Sequence, residues 1–586
     1  MSEMRLRVHR EIPEDEEFRR QWNGLVEAME RPEVFYTWEW AAAVAHAYGE
    51  ALKPMLFAGY EGEKLVGIAA LAVDSEGGVC FLASTTADYC DFVSAPGNRK
   101  ELIERVMGEL RGMGTAELKL ANLPADSASA AALRAAGKRS GYATFARPAY
   151  RCAQGVLGPA EERAQLTKAM GRKVKRMTKA AGELGSAAVS HGKSWEEFSE
   201  EFPEFAVSHV GRFLSAGEVS NLALPERQAF LLELARLLSR QGWLTLSTLK
   251  IEGRTVAWNC GFRFAGNWFY YQPTFDLEAR RLSPGSYLLC RILQDAAADV
   301  ETCVVELGLG DEGYKKQYAN AGRQILCVTA SRSRMRWARE VYRYRAAKLV
   351  KRFPRMEEAV RACISKAVMG MTAVRERRVW SGIRGALARA ARSLGRAREV
   401  HFFEYVGAET GTRDHGLEVR PLSIRLLATA AMENAKDPSA FEYLLEAAER
   451  QQSGHAEGFA VVASDGSPVH FCWVGPFEGF RMRGLDGTLK APMGGSMLIR
   501  EGWTPASQRG GEHEARCASL VAGLVQEGGR SAWAFSADAN YSAELERAGF
   551  ALRFSLVRRK KLFFSRTQRV DFADHKTGVM NLYPAA

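Results

Sequence analysis

At 586 residues, with 47% apolar and 25% charged side chains, the chain has an ordinary globular composition but is too long for one core. At roughly 100–200 residues per domain it should hold three to five units. The net charge of +11 is local: residues 331–400 carry 17 Arg and 3 Lys against 5 acids, a net of +15, so the remainder stands near neutral at −4 and cannot be read as basic modules.

No run of about 18 uncharged apolar residues marks a membrane span, and the first residues lack an apolar signal core. The ten cysteines stand ten or more residues apart, which excludes CxxC redox or zinc pairs and disfavours a short disulfide framework. A reducing cytoplasm is the expected compartment.

In chain order, a first module over residues 1–155 is predicted to hold helices near 14–29 and 38–48, strands near 54–60, 65–73 and 78–83, a helix near 98–113 and a strand at 117–121. A second, 156–330, opens on a basic helix, Leu166-Thr-Lys-Ala-Met-Gly-Arg-Lys-Val-Lys-Arg-Met-Thr-Lys179, continues with helices near 194–214 and 226–240, and then a hairpin. The strand Asn267-Trp-Phe-Tyr-Tyr-Gln-Pro-Thr-Phe275 follows, then Arg281-Leu-Ser-Pro-Gly-Ser286 opening a helix, then the strand Thr302-Cys-Val-Val-Glu-Leu307. Residues 331–400 read as an Ala- and Arg-rich helical connector, and residues 401–586 as a third module.

The three modules share a pattern. Residues 55–73, 244–264 and 458–474 are each a β-rich run, a tight acidic or Gly turn and a second β-rich run. Each is preceded by helical sequence and followed by strand then helix, which predicts three equivalent hairpins in three similar mixed sheets.

Several residues can carry chemistry. In 281–286, Ser283 can cap the following helix, Pro284 suits its first turn and Gly285 permits close approach of a ligand to backbone amides. Free amides at a helix start bind phosphate, and Arg280 and Arg281 can reinforce this. An ordinary capped helix accounts for the same residues. Glu306, at a strand end before a glycine loop and Tyr314 and Lys315, is either a general base or the partner of an arginine. Asp88 and Asp91 flank a strand end, where they line an acceptor cleft or merely solvate a loop. Tyr271 and Gln272 lie on the 267–275 strand, one face of whose aromatics can line an acyl tunnel. His209 reads as a packing residue of a helix.

Residues from about 20 to 330 resemble the acetyltransferases of cellulose and exopolysaccharide biosynthesis (CelD-like), relatives of the FemABX transferases. The matching pieces are Phe35-Tyr-Thr-Trp-Glu-Trp40, Asp88-Tyr-Cys-Asp-Phe92, the basic helix at 172–179, Gly253-Arg-Thr-Val-Ala257, Arg281-Leu-Ser-Pro-Gly285 and Gly310-Asp-Glu-Gly-Tyr-Lys315. Glu306 stands where the family often has Asp. The resemblance implies an α/β fold of tandem GNAT-like lobes, with mixed, mostly antiparallel sheets flanked by helices. The first lobe would lack a donor site and the second would hold it.

It further implies acyl transfer from acetyl-CoA or another acyl-CoA, without a metal, to an amine or hydroxyl of a polysaccharide, a cell-envelope precursor or a small amine. Arg281, Ser283, Gly285, Ser286, Tyr271 and Gln272 would hold the donor; Glu306, Tyr314, Lys315, Asp88 and Asp91 would serve catalysis. An aminoacyl-tRNA-dependent FemABX-type transfer, and a noncatalytic partner of a polysaccharide synthase, are the alternatives.

The third module is similar to a GNAT domain with a poor catalytic match. In Gln508-Arg-Gly-Gly-Glu-His-Glu514 a bulky or acidic side chain stands where phosphates approach backbone, and Leu545 occupies the usual position of a Tyr general acid. The connector at 331–400 reads as a solvated helical linker, or as an amphipathic surface touching anionic lipid at the inner face of a membrane. Nucleic-acid binding ranks third.

Overall fold

A computed structural model describes residues 4–182, 186–310, 313, 315–350, 398–407, 416–454, 457–479, 489–561, 564–572 and 579–581. Tyr314 and most of the basic connector, residues 351–397, lie outside the described residues. The chain divides into two compact units, residues 1–212 with 221–352, and residues 213–220 with 353–586.

The first half of the first unit runs β1 (Arg5–His9), α1 (Glu16–Glu27), α2 (Trp38–Tyr48), β2 (Leu52–Glu61), β3 (Lys64–Asp74), β4 (Val79–Phe81), β5 (Val93–Ser94), α3 (Pro96–Gly112), β6 (Glu117–Pro124), α4 (Ser129–Arg139) and β7 (Ala143–Val156). The second half runs α5 (Ala160–Gly182), β8 (Ala187–Gly192), α6 (Trp195–Ser215), α7 (Pro225–Arg240), β9 (Leu244–Ile251), β10 (Arg254–Phe264), β11 (Asn267–Phe275), α8 (Pro284–Ala298), β12 (Val304–Leu309) and β13 (Ala321–Ser331). A closing helix, α9, spans Arg334–Val350. Helix starts follow their caps: Asp15 accepts from the Phe18 N–H, and Thr37 from that of Trp40.

Both halves share one sheet, ordered β1-β2-β3-β4-β6-β13-β7-β12-β11-β10-β9-β8. The halves exchange their last strands. The β7 strand ends the first half yet lies antiparallel to β12, with Gln154 opposite Glu306. The β13 strand ends the second half yet runs antiparallel to both β6 and β7. Separating the lobes would therefore strip ladder hydrogen bonds from four strands.

Alternation along β11 distributes its aromatics. Trp268 and Tyr270 join a core with Val305, Leu307 and the α8 residues Leu288, Leu289 and Ile292. Phe269 and Tyr271 meet the first lobe, with ring centroids 5.3 Å from Phe35 and 5.5 Å from Trp40 respectively. The sequence Phe35-Tyr-Thr-Trp-Glu-Trp40 is thus a seam between lobes.

The second unit runs β14 (Arg398–Tyr405), β15 (Leu417–Pro421), α10 (Ile424–Glu433), α11 (Pro438–Ser453), β16 (Glu457–Ala463), β17 (Pro468–Pro476), β18 (Met497–Trp503), α12 (Gly511–Glu527), β19 (Ala532–Ser536), α13 (Ala539–Arg547), β20 (Phe550–Lys561), β21 (Phe564–Asp571) and β22 (Val579–Asn581). Its sheet is ordered β15-β16-β17-β18-β19-β14-β20-β21-β22.

The three hairpins are equivalent, but they lie in two sheets and not three, because β7 and β13 join the first two lobes into one. The pairs β2/β3, β9/β10 and β16/β17 are antiparallel, and Gly62, Gly253 and Gly466 supply the positive φ of their turns (63°, 78° and 84°). In each case a third antiparallel strand follows (β4, β11, β18), then a helix, then a strand parallel to the third (β6, β12, β19). These parallel contacts are short. The β4/β6 contact is Val79 with Leu118; β11/β12 spans Asn267–Phe269 with Val304–Glu306; β18/β19 is Met497 and Leu498 with Ala532 and Trp533. Beyond them the strands part. The protein is α/β, with mixed sheets flanked by helices.

Candidate active site

The register of β11 with β12 ends at Phe269 and Glu306, and beyond this point the two strands diverge. On the α8 side, Ser283 does not cap the helix as its type suggests. It occupies the N-cap position at φ 52°, ψ 49° and makes no capping hydrogen bond. A hydroxyl reaches first-turn amides from an extended N-cap, and Ser283 is left-handed. The Gly285 and Ser286 amides thus begin the helix without a side-chain cap, Pro284 preceding them. Gly285 is also needed for packing, since an added Cβ would stand 3.2 Å from the Phe275 ring. Arg280, Arg281 and Ser283 are exposed; Ser286 is half-buried.

Glu306 is buried and holds two donors: Tyr89 Oη donates to Oε2 at 2.9 Å, and Gln154 Nε2 to Oε1 at 2.6 Å. Burial raises its pKa, opposed by these hydrogen bonds and by Arg323. Asp88 approaches the same strand one turn of pleat further on. Gly308 has φ 75°, and a Cβ there would lie 3.2 Å from Asp88 Oδ2. No hydrogen bond or ion pair engages the Asp88 carboxylate among the described residues. Burial first, and the charge of Glu306 second, push its pKa up to about 7, against the pull of Lys315 and Arg227. Lys315 is buried and donates from Nζ to the Leu309 carbonyl at 2.5 Å.

Tyr271 and Gln272 belong to a buried polar chain. Arg227 donates to Tyr271 Oη at 2.7 Å and to Gln272 Oε1 at 3.3 Å, Tyr271 donates to the Thr86 carbonyl at 2.5 Å, and the Gln272 amide meets His209 Nε2 at 2.9 Å. His209 is thus buried and hydrogen-bonded rather than merely packed, and burial holds its pKa well below the usual histidine value. Asp91 is engaged by the chain around it. It accepts from Ser129 Oγ at 2.5 Å and the Phe92 N–H at 2.8 Å, so it organises the start of α4.

The other face of Glu306 opens on a cavity of about 570 Å³ whose polar lining includes Arg31, Glu33, Asp126, Gln154 and Arg323. Arg323 ties both lobes: it donates to Glu33 Oε1 at 2.6 Å and to Asp126 Oδ1 at 3.0 Å, and its guanidinium lies 4.7 Å from the Tyr89 ring centre. Burial and the nearby Glu306 raise the Glu33 pKa. Sequence reading missed Glu33, Gln154, Arg227 and Arg323. Glu33 alone left a trace, an acid directly before the apolar run Val34-Phe-Tyr36; Arg323 on β13 left none.

The parting in the first lobe is closed by hydrogen bonds. In the first lobe, Asn122 (φ 64°) donates from Nδ2 to the Ser84 and Ala87 carbonyls at 2.9 and 2.7 Å, and its own carbonyl accepts from Cys90 N–H at 2.8 Å. The segment between β4 and β5 is therefore bonded to the diverging strand. In the second unit, a Cβ at Gly511 would lie 3.2 Å from Glu544 Cγ, and Glu512 and Glu514 occupy the first turn of α12. Leu545 is fully buried.

Residues 168–316 match the family described as Acetyltransferase (GNAT) domain, so the second lobe carries a GNAT-type acetyltransferase domain. Among solved structures, the chain is similar to the C-terminal domain of a putative lysylphosphatidylglycerol synthetase from Agrobacterium fabrum (11% identity over 56% of this chain and 94% of that one, TM-score 0.37). It is similar also to FemX (9%, 53% and 95%, 0.38) and to a tandem GNAT protein from the clavulanic acid biosynthesis pathway (14%, 56% and 99%, 0.33). No curated protein matches.

Proposed function

We propose that the second lobe transfers an acyl group from a coenzyme A thioester to an amine or hydroxyl seated in the Glu306 cavity. The observation that carries this is the placing of Glu306 at the fork of β11 and β12, with the parting on one side and the cavity on the other. The Gly285 and Ser286 amides, with Arg280 and Arg281 close in sequence, suit the pyrophosphate. A backbone amide of β11 beyond Phe269 suits the thioester carbonyl, where negative charge develops.

The acceptor heteroatom attacks that carbonyl, its new bond to carbon forms, the carbon–sulfur bond breaks and the thiolate leaves. The proton passes to a carboxylate. Glu306 already commits both oxygens to Tyr89 and Gln154, so Asp88, with its pKa near 7, is the better base, and Glu306 orients Gln154 along the cavity wall. Four carboxylates (Glu30, Glu33, Asp126, Glu306) against two arginines (Arg31, Arg323) line the cavity, which favours an amine on the acceptor. A polysaccharide or envelope precursor, or a small amine, remains the acceptor class drawn from the family resemblance.

One observation favours a second reading, transfer from an aminoacyl-tRNA: α5 exposes Lys168, Arg172, Lys175 and Arg176. Calorimetric titration with acetyl-CoA and longer acyl-CoAs, followed by mass-spectrometric profiling of modified acceptors, separates these. Micromolar acyl-CoA binding is expected. Salt-sensitive tRNA retention without any heat from acyl-CoA would install the second reading, and failure of both would leave a noncatalytic lobe.

A further inference from the structure

We propose that α9, together with the cleft at its start, docks the protein on an anionic phospholipid bilayer, the cleft taking a lipid phosphate. Two separate observations meet here. The first is a cavity of about 470 Å³ between the end of α4 and the start of α9. Arg134, Lys138, Arg332 and Arg334 line it beside Tyr142 and Trp337, and no carboxylate is among the lining residues. None of these four cations forms an ion pair among the described residues, although exposed arginines elsewhere do, as Arg139 does with Glu104 and Arg336 with Glu117. Four like charges around one space repel each other, and a phosphate dianion would relieve that repulsion.

The second observation is that α9 is apolar on two opposite faces. Trp337, Val341 and Tyr344 turn toward the sheet: Trp337 donates from Nε1 to the Thr144 carbonyl, and Tyr344 packs on Phe145 with centroids 5.7 Å apart. Opposite them, at seven-residue spacing on one face, Met335, Tyr342 and Leu349 are 81%, 73% and 56% exposed. Arg339 and Arg343 border this stripe on one side, and Arg334 and Arg345 on the other. An apolar stripe with basic borders suits the boundary between headgroups and acyl chains, where the ring of Tyr342 would sit.

The sequence that follows argues against the chain itself as the cover. Residues 351–397 carry 12 cations against 3 acids, so like charge would oppose their settling between these arginines. No helix among the described residues is long and apolar enough to cross a membrane, so the contact proposed is peripheral.

The test is flotation of the full chain with phosphatidylcholine vesicles, with and without 30% phosphatidylglycerol as a starting composition of about that order. Binding to the anionic vesicles only is expected, falling as salt rises. Each near-surface cation is worth about fivefold in affinity, so Arg134→Glu with Lys138→Glu should weaken binding at least about tenfold. Met335→Asp with Tyr342→Asp should weaken it similarly at low salt, with an unchanged melting temperature. Should that pair unfold the protein, Tyr342→Cys carrying an environment-sensitive fluorophore replaces it, and a blue shift on anionic vesicles is expected.

Inorganic phosphate should compete better than chloride at equal ionic strength. Equal competition removes the phosphate site and with it the proposal. Equal binding to both vesicle types, binding to neither, variants without effect, or retention by RNA at a salt that releases vesicles would each overturn it as well.

Discussion

The two lobes of the first unit repeat one fold and use its parting strands in opposite ways. At the diverging strand the first lobe places Asn122 and the second places Gly308, both at positive φ. The asparagine amide bonds the chain's own carbonyls and closes the gap; the glycine has no side chain to do so, and the Asp88 carboxylate lies where a Cβ on it would be crowded, at 3.2 Å. In the proposed mechanism the first lobe supplies Asp88 to the second, since this residue precedes β5 in the first half.

The largest expected effect tests that donation. Asp88→Asn should lower acyl transfer by about 100- to 10,000-fold, the range for losing a general base, and abolish the rise of rate with pH centred near 7. Stability should move the opposite way. The folded protein holds the Asp88 proton more tightly than the unfolded chain, so the stability associated with this proton is complete below the ordinary value of 3.8 and is lost as pH rises to about 7. At about 1.36 kcal/mol per pH unit, the neutral variant should gain up to about 4 kcal/mol over wild type at pH 8 and little at pH 3.5. Urea melts at the two pH values, beside a pH–rate profile, measure both; a variant less stable at pH 8 would show that Asp88 is held as a paired anion.

Next comes the tie between lobes. Arg323→Met leaves Glu33 buried without its cation and should cost about 3–5 kcal/mol, seen as an earlier urea midpoint. A loss under about 1 kcal/mol would mean that Glu33 is already protonated, as its raised pKa permits.

The contrast between donor sites is tested by two glycines. Gly285→Asp should weaken acyl-CoA binding by about 10- to 1000-fold, because a carboxylate would face the pyrophosphate, whereas Gly511→Asp should change it little. Circular dichroism controls for the Phe275 contact. The reverse pattern would move the enzyme to the second unit.

The smallest effect concerns the closed gap. Asn122→Gly keeps the backbone freedom but removes three side-chain hydrogen bonds, two donated to the Ser84 and Ala87 carbonyls and one accepted from Tyr150 Oη, at about 1–3 kcal/mol of stability and no change in acyl-CoA affinity. A changed affinity would show that the first lobe also holds donor.

The sequence by itself determined the repeated hairpins and the α/β class, though not β1, α4, β7, β8 or β13. The reason is local: hairpins announce themselves through β-rich runs and turn glycines such as Gly253 and Gly466, and helices through caps and apolar spacing. Of the residues that the proposed mechanism uses, it singled out Glu306, Asp88 and Gly285, each beside a local signal. It could not reach the exchange of β7 and β13, because a strand's partner is set by which edge lies open after the rest of the sheet has formed. Only tertiary structure separated Asp88 from Asp91, three residues apart, one facing Gly308 of β12 and one hydrogen-bonded to Ser129 of α4. Only tertiary structure brought Arg323 to Glu33 across 290 positions. Charge pairing and desolvation act through space, and along the chain these residues have no common pattern to reveal them.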